Sequence, residues 1–214
     1  MTHKKHFDII DVMKKQIINI GHQLGQNHFT IGTSGNISVK CKDGFLISAS
    51  GTKLSQLCEE DIVLTDFDGN LIEGNKKPSS EKNLHSAIYK LRPDFGAIIH
   101  SHAPKTATLA ACHIAMDKKL LADCVFYFKE IPLAPYAMPS SDELVQNTAP
   151  FFKNHNAVLM ANHGLIVAAD TLQNALYLVE LAEFNAEVYI NSMLLKSGHP
   201  LDTKAIEDIQ KLVH

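Results

Sequence analysis

Residues 96–102 read Gly-Ala-Ile-Ile-His-Ser-His, and residues 157–168 read Ala-Val-Leu-Met-Ala-Asn-His-Gly-Leu-Ile-Val-Ala. Short runs of small and branched apolar residues read as strands buried within a sheet. Residues two apart on a strand share a face, so His100 and His102 can converge on one atom. His163 interrupts the second run between Asn162 and Gly164. Three imidazoles at the ends of buried strands each need a polar partner. One divalent ion would satisfy all three, and three protein ligands with an open position is the pattern of a catalytic zinc. Hydrogen-bonded structural histidines are the other reading of the same residues. Twelve histidines in 214 residues produce roughly 0.7 His-x-His pairs by chance, so the weight rests on where the pair sits. The other nine, including His3, His6, His22, His28, His155, His199 and His214, mostly occupy polar or terminal contexts and read as solvated.

The totals narrow the class. With 45% hydrophobic and 20% charged residues, a chain of this length has the composition of a soluble globular protein with a full core. No apolar stretch approaches the roughly 18–20 residues that span a bilayer. The opening Met-Thr-His-Lys-Lys-His-Phe-Asp has basic residues but no apolar run after them, so no secretory leader is expected. Cys41, Cys58, Cys112 and Cys124 are scattered, with no Cys-x-x-Cys, and read as free thiols in a reducing cytoplasm. The net charge of −3, with both signs interspersed, points to neither a nucleic-acid nor a membrane partner. Arg92 is the only arginine. A ligand phosphate would therefore rest on backbone N–H groups, hydroxyls or lysines.

Apolar residues from Ile9 to Leu24 recur at three- and four-residue spacing, predicting a helix over about 6–27. Lys42-Asp43-Gly44 and Asp68-Gly69-Asn70 each separate two apolar runs and predict hairpins. Leu84, Ile88 and Leu91 mark a helix stopped by Arg92-Pro93. Pro104 opens a helix to about His113, Val125–Phe128 reads as a strand, and Ile131–Pro135 as an extended edge or loop. Ser140 with Glu143 predicts a capping box for a helix to about Lys153. The 157–168 run is a strand or hairpin, Leu172–Leu195 a long helix, and 203–213 a final one. Together these make one α/β domain over residues 1–214, its helices covering a mixed or antiparallel sheet.

Three small-residue loops could expose donors to an anion: Ser34-Gly35-Asn36, Ser50-Gly51-Thr52 and Ser79-Ser80. The last precedes a helix, whose free N–H groups favour negative charge. Each alone is equally an ordinary turn or cap. Glu81 opens the same helix, either as an acid well placed at a helix start or as a general acid/base beside a metal. Spacing does not choose. No lysine interrupts an apolar strand, where its pKa would be depressed, which argues against Schiff-base chemistry.

Six segments in order resemble the class II aldolase/adducin family: Gly35-Asn36-Ile37-Ser38; Asp43–Ile47 leading to Ser50-Gly51; Lys77-Pro78-Ser79-Ser80-Glu81 with His85; His100-x-His102; Ile131–Ala137; and Asn162–Ile166. The resemblance covers nearly the whole chain. It implies a single-domain, three-layer α-β-α fold with a central mixed, largely antiparallel sheet. It implies one zinc per chain on His100, His102 and His163, with Glu81 as acid/base and an additional metal ligand when no substrate is bound. It implies a substrate phosphate held by Gly35, Asn36, Ser50, Gly51, Ser79 and Ser80. A cyclic homotetramer with sites between neighbouring subunits is implied as well.

The reaction implied is reversible cleavage of a ketose 1-phosphate, of the L-fuculose 1-phosphate type, to dihydroxyacetone phosphate and an aldehyde. A methylthioribulose-1-phosphate dehydratase also has glutamate at this position and is the strongest rival; a sugar-acid-phosphate decarboxylase is third. The family's pentulose-phosphate 4-epimerase has aspartate where Glu81 stands. The adducin branch is a scaffold without the zinc histidines. Two features of the family's aldolases are not matched. The loop that carries a mobile tyrosine, here about Asp117–Glu130, is shorter, and Tyr127 is not equated with that tyrosine. The tyrosine-bearing tail has no counterpart before His214. The phosphate and metal half thus carries over, and the aldehyde specificity does not.

Overall fold

The computed structural model describes residues 2–213, with side-chain environments from Ile9 to Leu212, so the expected solvation of His3, His6 and His214 lies outside the described side chains. In chain order the elements are α1 (Thr2–Gln26), β1 (Asn36–Lys40), β2 (Phe45–Ser48), β3 (Ile62–Thr65) and β4 (Leu71–Glu73). Then follow α2 (Lys82–Leu91), β5 (Ala97–Ser101), α3 (Pro104–Ala111), α4 (Ala122–Tyr127) and β6 (Leu133–Ala134). The chain continues with α5 (Asp142–Thr148), β7 (Ala157–Met160), β8 (Gly164–Ala169), α6 (Leu172–Leu195) and α7 (Thr203–Gln210). The strands form one sheet in the order β4-β3-β2-β1-β5-β8-β7-β6, antiparallel at every pair except β6 with β7. Both predicted hairpins form, and the 157–168 run is the β7–β8 hairpin.

Side-chain alternation along the strands sorts residues between two cores. Ala97, Ile99, Leu165 and Val167 join α1, α3 and α6 on one face. Ile98, Ile166, Ala168 and Val158 join α2 and α5 on the other. Every residue of β5, β7 and β8 is buried, which is why these strands read as unbroken apolar runs. The three-layer α-β-α arrangement is therefore the one expected. Among the described residues, no helix is long and apolar enough to cross a membrane.

Three local expectations are corrected. Val125–Phe128 is helical at Val125–Tyr127, in α4, and not a strand. Its β-branched and aromatic residues favour strands, but Cys124, Val125 and Phe128 are buried at one-turn spacing while Tyr127 is exposed. Tertiary packing decides the conformation. The cap of α5 is Ser141, whose hydroxyl accepts from Leu144 N; Ser140 is left-handed, with φ 69°, and does not hold the N-cap conformation. α5 ends at Thr148 and continues to Lys153 as a tighter turn, because Pro150 has no N–H for the α-helical ladder.

α3 and α6 are joined by a buried carboxylate. Glu183 of α6 accepts hydrogen bonds from Lys105 N at 2.7 Å, Thr106 N at 2.9 Å and Thr106 Oγ1 at 3.1 Å. It thus serves the free donors at the start of α3 from another helix. Hydrogen bonds to charged groups contribute about 1.5–3 kcal/mol. Glu183→Ala is expected to lower the midpoint of thermal unfolding by about 4–10 °C, checked by calorimetry; an unchanged midpoint would show that this link contributes nothing.

Candidate active site

The antiparallel register brings the site together. Asn36 pairs with His100 across β1 and β5, and Ser101 pairs with Leu165 across β5 and β8. The end of β5 therefore lies beside both the start of β1 and the β7–β8 turn that carries His163. The three imidazoles meet there, with ring centroids 4.7, 4.7 and 5.3 Å apart. One nitrogen from each lies within 4.8 Å of the others. Gly164 makes this approach possible. A Cβ there would stand 2.5 Å from Ser101 O, 3.2 Å from His100 Cε1 and 3.3 Å from His102 Cδ2, so a larger residue would push the rings apart.

Hydrogen bonding sets the ring orientation. His100 Nδ1 donates to the Leu165 carbonyl at 2.9 Å, which leaves the Nε2 lone pair of the neutral ring facing the cavity. His102 Nε2 lies 2.9 Å from that atom. Burial, the largest influence, pushes His100 down to about 4 and also lowers His102. Both are neutral near pH 7, the state a metal ligand needs. Such a cluster of imidazoles suits a divalent transition metal, zinc among them.

Glu81 caps α2 above the rings and is 6% exposed. Its Oε1 is 3.2 Å from His163 Nε2 and its Oε2 3.6 Å from His100 Nε2. Asn36 Nδ2 donates to Oε2 at 3.0 Å. Burial pushes this carboxyl up, but the facing imidazoles and the Asn36 amide outweigh it and hold the group below the usual carboxylate range. The result is an ionised carboxylate held against the cluster. Asn36, expected in the phosphate loops, gives its amide to Glu81 and also lines the same cavity.

All ten sequence-predicted residues line one cavity of about 580 Å³: Gly35, Asn36, Ser50, Gly51, Ser79, Ser80, Glu81, His100, His102 and His163. Gly35 and Gly51 have φ of 79° and 75°, the left-handed region that favours glycine. Ser79 Oγ also accepts from Glu81 N at 3.3 Å, so it shapes the helix start. Ser50 N donates to Lys77 O at 2.8 Å, leaving the hydroxyl as that residue's free donor. Thr33, Ser34, Ala49, Pro139 and Asn162 also line the cavity; Thr33 and Ala49 adjoin the loops, and nothing in the sequence context of Pro139 marks it.

His85 is fully buried, not solvated, and burial pushes it down to about 3. Its Nδ1 lies 2.7 Å from Ser38 Oγ, which is 2.8 Å from Tyr89 OH. The signal was available: His85 stands four residues after Glu81, between Leu84 and Ile88 on the apolar face of α2. A larger depression, about 940 Å³, is elsewhere, lined by Phe126, Tyr127, Tyr177, Leu181 and Phe184 among others. It holds none of the converging histidines, so the chemistry belongs to the smaller cavity. Tyr127 lies in that groove and does not line the histidine cavity of its own chain.

Comparison with known proteins agrees with this geometry. The family model described as "Class II Aldolase and Adducin N-terminal domain" matches residues 15–190. The L-fuculose phosphate aldolase of Escherichia coli K12 is 33% identical over 189 residues, covering 88% of this chain and 87% of that protein. The 5-deoxy-D-ribulose 1-phosphate aldolase of Bacillus thuringiensis is 31% identical over 202 residues, covering 92% and 93%. A solved L-fuculose 1-phosphate aldolase superposes with a TM-score of 0.88 at 32% identity, over 93% of this chain and 94% of that one. The chain belongs to the class II aldolase and adducin family, as an enzyme of its aldolase branch.

Proposed function

We propose that the protein is a zinc-dependent aldolase that reversibly cleaves a ketose 1-phosphate to dihydroxyacetone phosphate and an aldehyde. The observation that carries the reading is the union in one cavity of three converging imidazoles, an ionised buried glutamate and donor-rich serine and glycine loops. His100, His102 and His163 hold the metal, and Glu81 joins them when no substrate is bound. A divalent ion in that position supplies Lewis-acid polarisation of the substrate oxygens. Glu81 moves the proton at the carbon next to the carbonyl, and Asn36 orients its carboxylate. The phosphate lies against the loops of Gly35, Asn36, Ser50, Gly51, Ser79 and Ser80. The start of α2 adds its partial positive charge there. Arg92 takes no part: it is bound to Asp94 through two bonds of 2.8 and 2.6 Å.

The relatives' names include L-fuculose phosphate, 5-deoxyribulose 1-phosphate and 5-methylthioribulose 1-phosphate, and the first two are the first ketose phosphates to assay. Release of dihydroxyacetone phosphate from either supports the reading. Loss of water from a methylthioribulose phosphate without carbon–carbon cleavage would move the protein to the dehydratases.

We also propose a cyclic homotetramer with sites at subunit boundaries. The support is the aromatic groove, where Tyr127, Tyr177 and Phe184 are each about half exposed, as suits a surface covered by a second copy. Sedimentation velocity should find a tetramer; a fully active monomer would remove the boundary from the reading.

Three outcomes follow from the site. The purified protein should carry about one zinc per chain by elemental analysis, and His102→Ala should lose most of it. Full occupancy in the alanine variants of all three histidines would place the metal elsewhere. Glu81→Gln should keep the fold and most of the metal while kcat falls about 10²–10⁴-fold; near-normal turnover would remove Glu81 from the chemistry. Alanine at Ser50, Ser79 or Ser80 should weaken binding of the phosphorylated substrate by about 1.5–3 kcal/mol. Equal kcat/KM for phosphorylated and unphosphorylated ketoses would return the three loops to ordinary turns.

A further inference from the structure

α3 ends in an unusual way. Ile114 N donates to Leu109 O at 2.9 Å and His113 N to Ala110 O at 3.2 Å, the bond pattern of a helix stop that places one left-handed residue after the last turn. Glycine is the usual occupant of that position. Here it is His113, with φ 55°. Across from it, the β7–β8 turn also has a left-handed residue that is not glycine, Asn162, with φ 54°. The two side chains meet: His113 Nε2 donates to Asn162 Oδ1 at 2.6 Å. Asn162 N also donates to Ala110 O at 3.1 Å, so the turn is fastened to the end of α3 by backbone and side chain together.

The position of this contact gives it a consequence. His163 directly follows Asn162, and α3 begins two residues after His102. An eight-residue helix of about 12 Å therefore links the two histidines, its far end held to the turn by His113 and its near end by Glu183. Backbone geometry alone would favour glycine at both left-handed positions. The side chains found there add the bond between them, and Asn162 also lines the edge of the histidine cavity. We propose that the His113–Asn162 pair is a positioning clamp that fixes His163 relative to His102 and thereby sets the metal affinity of the cluster. Neither residue is placed among the ligands. The inference rests on the metal-site reading above.

The test uses His113→Gly, Asn162→Gly and the double variant of the full chain, with zinc affinity measured by competition with a chromophoric chelator. Each glycine suits its backbone position, so thermal midpoints should stay within a few degrees of wild type. Each single variant should bind zinc about 10–100-fold more weakly, as loss of an orienting outer contact does. The double variant should be no weaker than the weaker single, because one bond is lost in all three. Unchanged affinity in the single variants, with the wild type binding normally, would overturn the clamp while leaving the metal site intact. Losses that multiply in the double variant would also overturn it, since the two residues would then act separately. A wild-type protein that binds no zinc would overturn the metal reading and the clamp with it.

Discussion

Four ionisable side chains, Glu81, His100, His102 and His163, are held in one place at the ends of central strands, and the architecture around them follows from that burden. Removing such groups from water costs several kcal/mol each unless they are paired and hydrogen-bonded. The sheet supplies the pairing through its register. Asn36 beside His100 delivers an amide to Glu81, and Leu165 beside Ser101 delivers a carbonyl to His100. A slip of one residue in either strand pair would turn the site's side chains to the opposite face. The apolar layers on both faces fix that register, so the two cores and the polar cluster depend on each other.

The cavity divides by chemistry. On one side, burial keeps His100 and His102 unprotonated, and Glu81 stays ionised beside the Asn36 amide. On the other side, the loops present small residues and a helix start, and the lone arginine is engaged far from them. In the proposed reading, these backbone and hydroxyl donors meet the substrate phosphate. His85 lies beneath, fully buried and tied to Ser38 and Tyr89.

Much of this was legible in the residues because it is local or periodic. The unbroken apolar runs of β5, β7 and β8 report burial on both faces, and the periodicity of Leu172–Leu195 matches the full span of α6. The His-x-His spacing and the glycine after His163 reflect close approach, and all ten proposed residues line a single cavity. What escaped was set by partners distant in sequence. Glu183 serves α3 from 78 residues away, and Asn36 finds Glu81 across 45. Neither leaves a local pattern. α4 was misread because Val125, Phe126, Tyr127 and Phe128 favour strands in isolation, whereas the neighbouring helices offer a surface that fits one face of a helix. The burial of His85 is legible only in its spacing, four residues after Glu81 on the apolar face of α2.

The central claim is that three imidazoles share one metal ion. X-ray absorption at the zinc edge, on protein purified with zinc and without substrate, reads the ligand shell directly. The account predicts three imidazole nitrogens at about 2.0–2.1 Å with the remaining ligands oxygen. A shell containing sulfur at about 2.3 Å, or one without imidazole scattering, would contradict it.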